Sequence, residues 1–334
     1  MRKEWLARII VPLGLVIALG IPAVGWWQHK QGTVLHARMA EIGGWTPENL
    51  SVAVGEPLHL RLTSDDVTHG FAVGQMDQPS VDVIPGEMTD VTLVFDKPDK
   101  YTFYCTRWCS VNHWRMRGTI EVTDPHTKAE PAKPPLYVTL GLDIDADHRA
   151  SVTPNQMPSA WRGALLNKTI PDTYKNHQYY LTHTPVDLWM ALRSEPAFTE
   201  LTDQDVWDLV AWVWQSNTTP DELKVGRELF TANCAACHGE GGAGNGVFAD
   251  QLAPNSSAEA PAQTTGTQTQ RPAPADFTDP SRMLSASPAH LQGKLIRGGM
   301  GTGMPYWGPI FTEDQTWALV AYLWTFQFQM EVVP

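Results

Sequence analysis

The 334-residue chain is poor in cysteine, in positive charge and in long apolar runs. Its four cysteines, Cys105, Cys109, Cys234 and Cys237, would in an exported chain ordinarily suggest two disulfides, but a histidine follows each pair, and a chain of this length can bury two or three ordinary cores. With 24 basic residues against 36 acidic ones the formal charge is −12. That balance argues against a nucleic-acid backbone as partner and suits a basic one. Outside residues 9–27, no uncharged apolar stretch approaches the roughly 20 residues of a membrane-crossing helix. The C-terminal WALVAYLWTFQFQM is too short. Residues 254–274 almost lack large apolar side chains and read as a disordered, low-complexity insertion.

Residues 9–27, IIVPLGLVIALGIPAVGWW, are expected to form an N-terminal transmembrane helix within an anchor spanning residues 1–30. Trp26 and Trp27 would lie at the far interface. Arg2, Lys3 and Arg8, opposed only by Glu4, keep the N-terminus cytoplasmic and export the rest of the chain. A cleaved signal peptide is the alternative, but the run exceeds the usual signal core and ends in aromatics rather than small residues. Residues 31–45 read as a connector. Residues 46–124 carry short alternating runs such as LHLRLTS, TDVTLVFD, YTFYC and GTIEVT, split by turn residues, which imply an all-β sandwich. Residues 125–136, rich in proline and charge, read as a linker.

Beyond the linker the period is helical, and the chain repeats itself. LTDQDVWDLVAWVW (201–214) aligns without gaps with FTEDQTWALVAYLW (311–324), and LTHTPVDL (181–188) matches LSASPAHL (284–291). Such self-similarity signals duplicated architecture.

The second copy contains CAACH (234–238). Cys-x-x-Cys-His is the attachment signature of c-type haem: Cys234 and Cys237 form thioethers and His238 reaches the iron. A thioredoxin-like redox pair is the rival, but its strand-helix context is missing. A second axial ligand is expected from IRGGMGTGMPYWG (296–308), with Met304 preferred and Met300 as fallback. Residues 221–330 with these motifs resemble a class I cytochrome c domain. Residues 137–218 carry the matching closing helix but no cysteine and no methionine loop, and are read as a haem-less cytochrome c-like pseudo-domain. His148, His177, His183, Met157 and Met190 lie within it and read as ordinary surface or core residues.

The first cysteine pair belongs to CTRWCSVNHWRM (105–116). Structural zinc would leave the methionine idle, and a disulfide would leave His113 and Met116 unexplained. Copper uses every residue, because soft thiolate and thioether donors with imidazole suit it, and two thiolates can bridge two ions. A remote ligand is expected from DDVTHGFAV (65–73), where His69 lies between a turn and an alternating run; His59 reads as a strand side chain. Trp108 and Trp114 flank the ligands and read mainly as packing residues.

With DVTHGFAV, the Pro85-Gly86 turn, YTFYC and the C-x3-C-x3-H-x2-M run before RGTIEV, residues 50–123 resemble the CuA domain of cytochrome c oxidase subunit II. The resemblance implies a cupredoxin-like fold and a dinuclear copper centre. Cys105 and Cys109 would bridge the coppers, His69 and His113 would each bind one, Met116 would bind one weakly, and the backbone carbonyl of Arg107 would complete the set. Many relatives carry a glutamate at the Arg107 position that helps bind magnesium, so this chain departs from the pattern there.

The overall expectation is a multidomain chain: a transmembrane helix, an all-β cupredoxin-like sandwich, then all-α cytochrome c-like domains. As an electron-transfer subunit II of a haem-copper terminal oxidase it would pass electrons from an exported donor, such as a soluble cytochrome c, through haem c and CuA to a catalytic subunit I that reduces oxygen. It would do no bond chemistry itself. The alternative is the electron-input subunit of a CuA-containing nitric oxide reductase. A copper chaperone would not need a covalent haem, and nitrous oxide reductase would need a catalytic propeller.

Overall fold

Alternation along the strands builds the first half of the molecule. The computed structural model describes residues 32–110, 112–126, 133–250, 273–299 and 302–330. In β4 (Leu58–Ser64), Leu58, Leu60 and Leu62 face inward while His59 points to solvent and bonds Thr92. The other strands are β1 (Thr33–Ala37), β2 (Trp45–Thr46), β3 (Asn49–Ala53), β5 (His69–Val73), β6 (Val81–Val83), β7 (Thr89–Leu93), β8 (Asp99–Cys105) and β9 (Arg117–Thr123). They form two sheets, ordered β2-β1-β4-β7 and β3-β9-β8-β5-β6, with Leu35, Leu60, Leu93, Phe71, Phe103 and Ile120 among the residues of the core they share. Strands β1 and β4 run parallel, as do β3 and β9, and the remaining pairings are antiparallel.

One expectation needs correction. Residues 31–45, read as a connector, supply β1 and the start of β2. TVLHA is short, only Leu35 and Ala37 are buried in it, and its partner β4 lies parallel and remote in sequence, so no hairpin signal announces it. The apolar run 9–27 lies outside the described residues, as do residues 254–272 and Met300; among the described residues no helix is long and apolar enough to cross a membrane.

The chain divides into two units at residues 130 and 131. The second is helical: α1 (Ala160–Leu165), α2 (Pro185–Ser194), α3 (Asp203–Ser216), α4 (Pro220–Asn233), α5 (Ala235–His238), α6 (Pro288–Arg297) and α7 (Glu313–Leu323), with shorter turns between. The repeated stretches start the same way. Thr184 and Ser287 cap α2 and α6 ahead of a proline in the first turn, and Thr202 and Thr312 close capping boxes on α3 and α7.

The repeat extends to helix crossings. A Cβ at Gly163 would fall 2.1 Å from the backbone oxygen of Asp208, and one at Gly226 2.0 Å from that of Ala318. The gapless alignment equates Asp208 with Ala318, so α1 crosses α3 where α4 crosses α7, each time on a glycine. Trp214 and Trp324, also equivalent, meet with ring centroids 6.0 Å apart. Like residues touching like residues is the mark of a two-fold relation. Reciprocal backbone bonds add a seam, with Ala160 donating to Gln329 and Gln329 to Pro158.

Asp208, 3% exposed, sits at the first crossing. It accepts a fork from Arg162 at 2.7 and 2.8 Å and the backbone N–H of Ser159 at 2.8 Å. Removing the carboxylate leaves the buried Ser159 N–H unpaired and the third-exposed Arg162 without its fork, which costs about 1–3 kcal/mol. Asp208→Ala is therefore expected to lower unfolding stability by roughly that amount in denaturant titrations, and Lys in place of Arg162, lacking the fork, by less.

His290 stacks on His148, centroids 4.4 Å apart. Burial, and after it the positive neighbours His148 and Lys294, push its pKa from 6.5 down to about 4, against Asp145 and Asp143. The folded pKa is below the unfolded one, so the contribution of neutral His290 is complete above pH 6.5 and fades as pH falls toward 4. The thermal midpoint should drop across that window, and less steeply in His290→Gln.

Candidate copper and haem sites

Strands β5 and β8 are neighbours, pairing Phe71 with Cys105, which brings His69 at the start of β5 beside the end of β8. His69 and Cys105 are buried, and the Cys105 Sγ lies 3.8 Å from His69 Nδ1 and 3.8 Å from Cys109 Sγ. The sulfurs are not bonded to each other, and no disulfide joins any of the four cysteines. The donor atoms of His69, Cys105 and Cys109 all lie within 4.8 Å of one another.

The loop back to β9 supplies the other expected donors. The Arg107 carbonyl turns inward, accepting the Cys109 N–H at 2.8 Å and lying 3.3 Å from Cys105 Sγ. A single turn, His113–Arg115, follows, and its exit places Met116 with no exposed surface. The Met116 carbonyl accepts both the Cys105 N–H at 3.0 Å and the indole N–H of Trp45 at 3.1 Å, which locks the loop to the sandwich. His113 is buried against the Trp108 ring, centroids 3.9 Å apart, and neither of its ring nitrogens has a hydrogen-bond partner. Trp114 carries the Arg115 guanidinium over its face.

Buried polar atoms without partners are costly in a fold and mark a place for a ligand. Two thiols and an imidazole held together, with the buried His113 and Met116 on the same loop, fit copper and leave hard cations poorly served. The electrostatics agree. Cys109 beside Cys105 is the leading influence that lowers the Cys105 pKa; burial opposes it, and the bond to the His69 imidazole adds to it. The same contact and burial raise Cys109.

Asp66 escaped the sequence reading. Its carboxylate accepts from Met39 N at 2.7 Å and lies 2.6 Å from His69 Nε2, leaving Nδ1 turned to the sulfurs. Burial disfavours a charged His69, but the bonds to Cys105 and Asp66 outweigh it and raise the pKa. An acidic residue three positions before a histidine is common, so only the tertiary contact distinguishes it.

In the helical unit, CAACH closes α4 and forms α5. Burial, with Cys237 adding to it, pushes Cys234 up to about 12, and burial also raises Cys237. His238 is buried and stacked on Phe277 at 4.6 Å, and its Nδ1 lies 3.0 Å from the Ala275 carbonyl. A histidine anchored through Nδ1 is oriented to ligate through Nε2. Burial lowers its pKa, against the Ala275 bond, and favours the neutral ring an iron needs. Met304 lies half-buried on the irregular loop between α6 and α7, where its carbonyl accepts the Gly299 N–H. In the first repeat the corresponding link, residues 195–202, holds a short proline-led turn and no methionine.

The fold and these donors define a cupredoxin-like domain followed by a cytochrome c. Residues 37–123 match the family described as cytochrome c oxidase subunit II, periplasmic domain, and residues 223–327 match cytochrome c. Two separate stretches of the chain thus match a subunit II periplasmic domain and a cytochrome c domain, and the cofactors these matches imply are CuA copper and haem c. It is 36% identical over 81 residues to cytochrome c oxidase subunit 2 of Thermus thermophilus, an alignment covering 24% of this chain and 59% of the relative. A second such subunit, from another strain of that species, is covered over 48% of its length, so the chain spans about half the length of these relatives. It is also 38% identical over 72 residues to a nitrous-oxide reductase of Ralstonia nicotianae, covering 20% of this chain and 11% of that one. Among solved structures, one described as a haem-copper terminal oxidase dimer is similar at 23% identity, over 36% of this chain and 99% of that one, with a TM-score of 0.24. At that score the assignment rests on the families and sequence relatives.

The orphaned imidazole gives a test that separates site from scaffold. His113→Leu is expected to leave the melting point of the metal-free protein unchanged or higher, and to abolish the upward shift that copper produces in the parent chain.

Proposed function

We propose that the chain is the electron-transfer subunit II of a haem-copper terminal oxidase, taking electrons from an exported donor, such as a soluble cytochrome c, and delivering them to a membrane-bound catalytic subunit that reduces oxygen. The observation that carries this reading is the cluster of the His69, Cys105 and Cys109 donor atoms, all within 4.8 Å of one another, in the same chain as a haem-attachment motif. In this reading Cys105, Cys109, His69, His113, Met116 and the Arg107 carbonyl hold the copper pair. Cys234 and Cys237 would attach the haem, and His238 and Met304 would hold its iron. When bound, both groups supply one-electron redox chemistry.

The protein's own part is to hold donors still and dry. Asp66 fixes the ring of His69, Trp45 and the Cys105 N–H fix the Met116 turn, and Ala275 fixes His238. A rigid donor set moves little when charge arrives, which lowers the reorganisation that slows electron transfer. Each centre so described uses its donors without an open position, which supports a subunit that does no bond chemistry of its own. We read residues 9–27 as an anchor helix with the redox domains on the exported side, and residues 137–218 as a haem-less cytochrome c-like domain, supported by the glycine crossings and the Trp214–Trp324 contact.

A second reading, electron input to a nitric oxide reductase, is favoured by Arg107. Its guanidinium is bound to Asp82 and cannot ligate a cation. Turnover of the purified native complex separates the two. The oxidase reading expects oxygen uptake driven by reduced cytochrome c; nitric oxide reduction without oxygen uptake would replace it with the second. For the haem, Met304→Ala is expected to remove the weak far-red sulfur-to-iron absorption band and lower the reduction potential, whereas loss of the band in Met300→Ala alone would move the ligand to Met300.

A further inference from the structure

Arg107 does more in this chain than lend a carbonyl. It sits midway between the two cysteines, on a stretch with no helix or strand hydrogen bonds to hold it. Its side chain crosses β5 over Gly70 and reaches Asp82 on β6 with a two-pronged fork, Nε to Oδ1 at 2.9 Å and an Nη to Oδ2 at 2.8 Å. Gly70 is paired with Asp82 across the strands. A Cβ on Gly70 would lie 2.0 Å from Thr106 Oγ1 and 3.1 Å from the Arg107 Cγ, so only glycine lets the loop lie on the strand. Thr106 adds a parallel tie, its hydroxyl donating to Ser80 at 3.1 Å, and its N–H bonds the Gly70 carbonyl.

We propose that the Arg107–Asp82 fork is a positioning device for the copper loop, fixing the direction of the Arg107 carbonyl and the spacing of the Cys105 and Cys109 sulfurs. This rests on the copper reading above. With the guanidinium tied to β6, the Arg107 peptide cannot rotate without breaking two hydrogen bonds, and rotation would take the carbonyl away from Cys109 N and Cys105 Sγ together. Being exposed, the pair adds little to global stability. Its effect is local and geometric, because a planar fork restrains orientation where a lysine ammonium would not.

The test uses the full chain loaded with copper, in four forms: parent, Arg107→Lys, Asp82→Asn and the double substitution. The readouts are copper retention against a chelator, the electron paramagnetic resonance spectrum and the copper reduction potential. Each single variant is expected to lose copper about 10-fold faster, the low end for a residue orienting a ligand, and to show altered copper hyperfine splitting and a shifted potential. The double variant should be no worse than either single one. Unchanged spectra and potentials, or effects that add in the double variant, would overturn the proposal. A parent chain without a two-copper spectrum would instead sink the copper reading.

Discussion

Everything in the β unit depends on keeping two sulfurs 3.8 Å apart and unbonded, one buried and the other half-buried at the edge of the core. Two such thiols would oxidise or repel if left mobile. The fold answers with three separate restraints: β8 carries Cys105 as the last residue of a strand inside the sheet, β5 delivers His69 beside it, and the Met116 carbonyl gathers two donors from behind. The ligand loop has little regular structure, and its geometry is borrowed from the strands beneath.

The helical unit solves a similar problem by duplication. A closing helix crossing a first helix on a glycine is used twice, once with CAACH at the end of the first helix and once without any cysteine. The two copies face each other through equivalent tryptophans. The cysteine-free copy thereby covers Trp324 and Phe328, which otherwise lie on the face of a small domain with little core to spare.

Local patterns were legible in the sequence, and contacts between distant segments were not. The ligand run 105–116, the haem motif, the helix caps and the gapless repeat are all written within short windows, where spacing alone carries the chemistry. Strand β1 was missed because its pairing partner lies remote and parallel, and five residues are too few to display a period. Trp45 and Asp82 act on the copper loop from 71 and 25 positions before Met116 and Arg107, and Asp66, though only three positions before His69, is tied to the remote Met39 N–H. Their roles exist only once the sheets close. Arg107 was legible as a departure, but its tie to Asp82 needed the register of β5 against β6.

The central claim is that one electron spin is shared by two copper nuclei held between Cys105 and Cys109. Low-temperature electron paramagnetic resonance of the oxidised full chain tests it directly. Delocalisation over both nuclei predicts a seven-line hyperfine pattern, lost in Cys109→Ser. A four-line pattern in the parent chain would mean a single copper and would contradict the account.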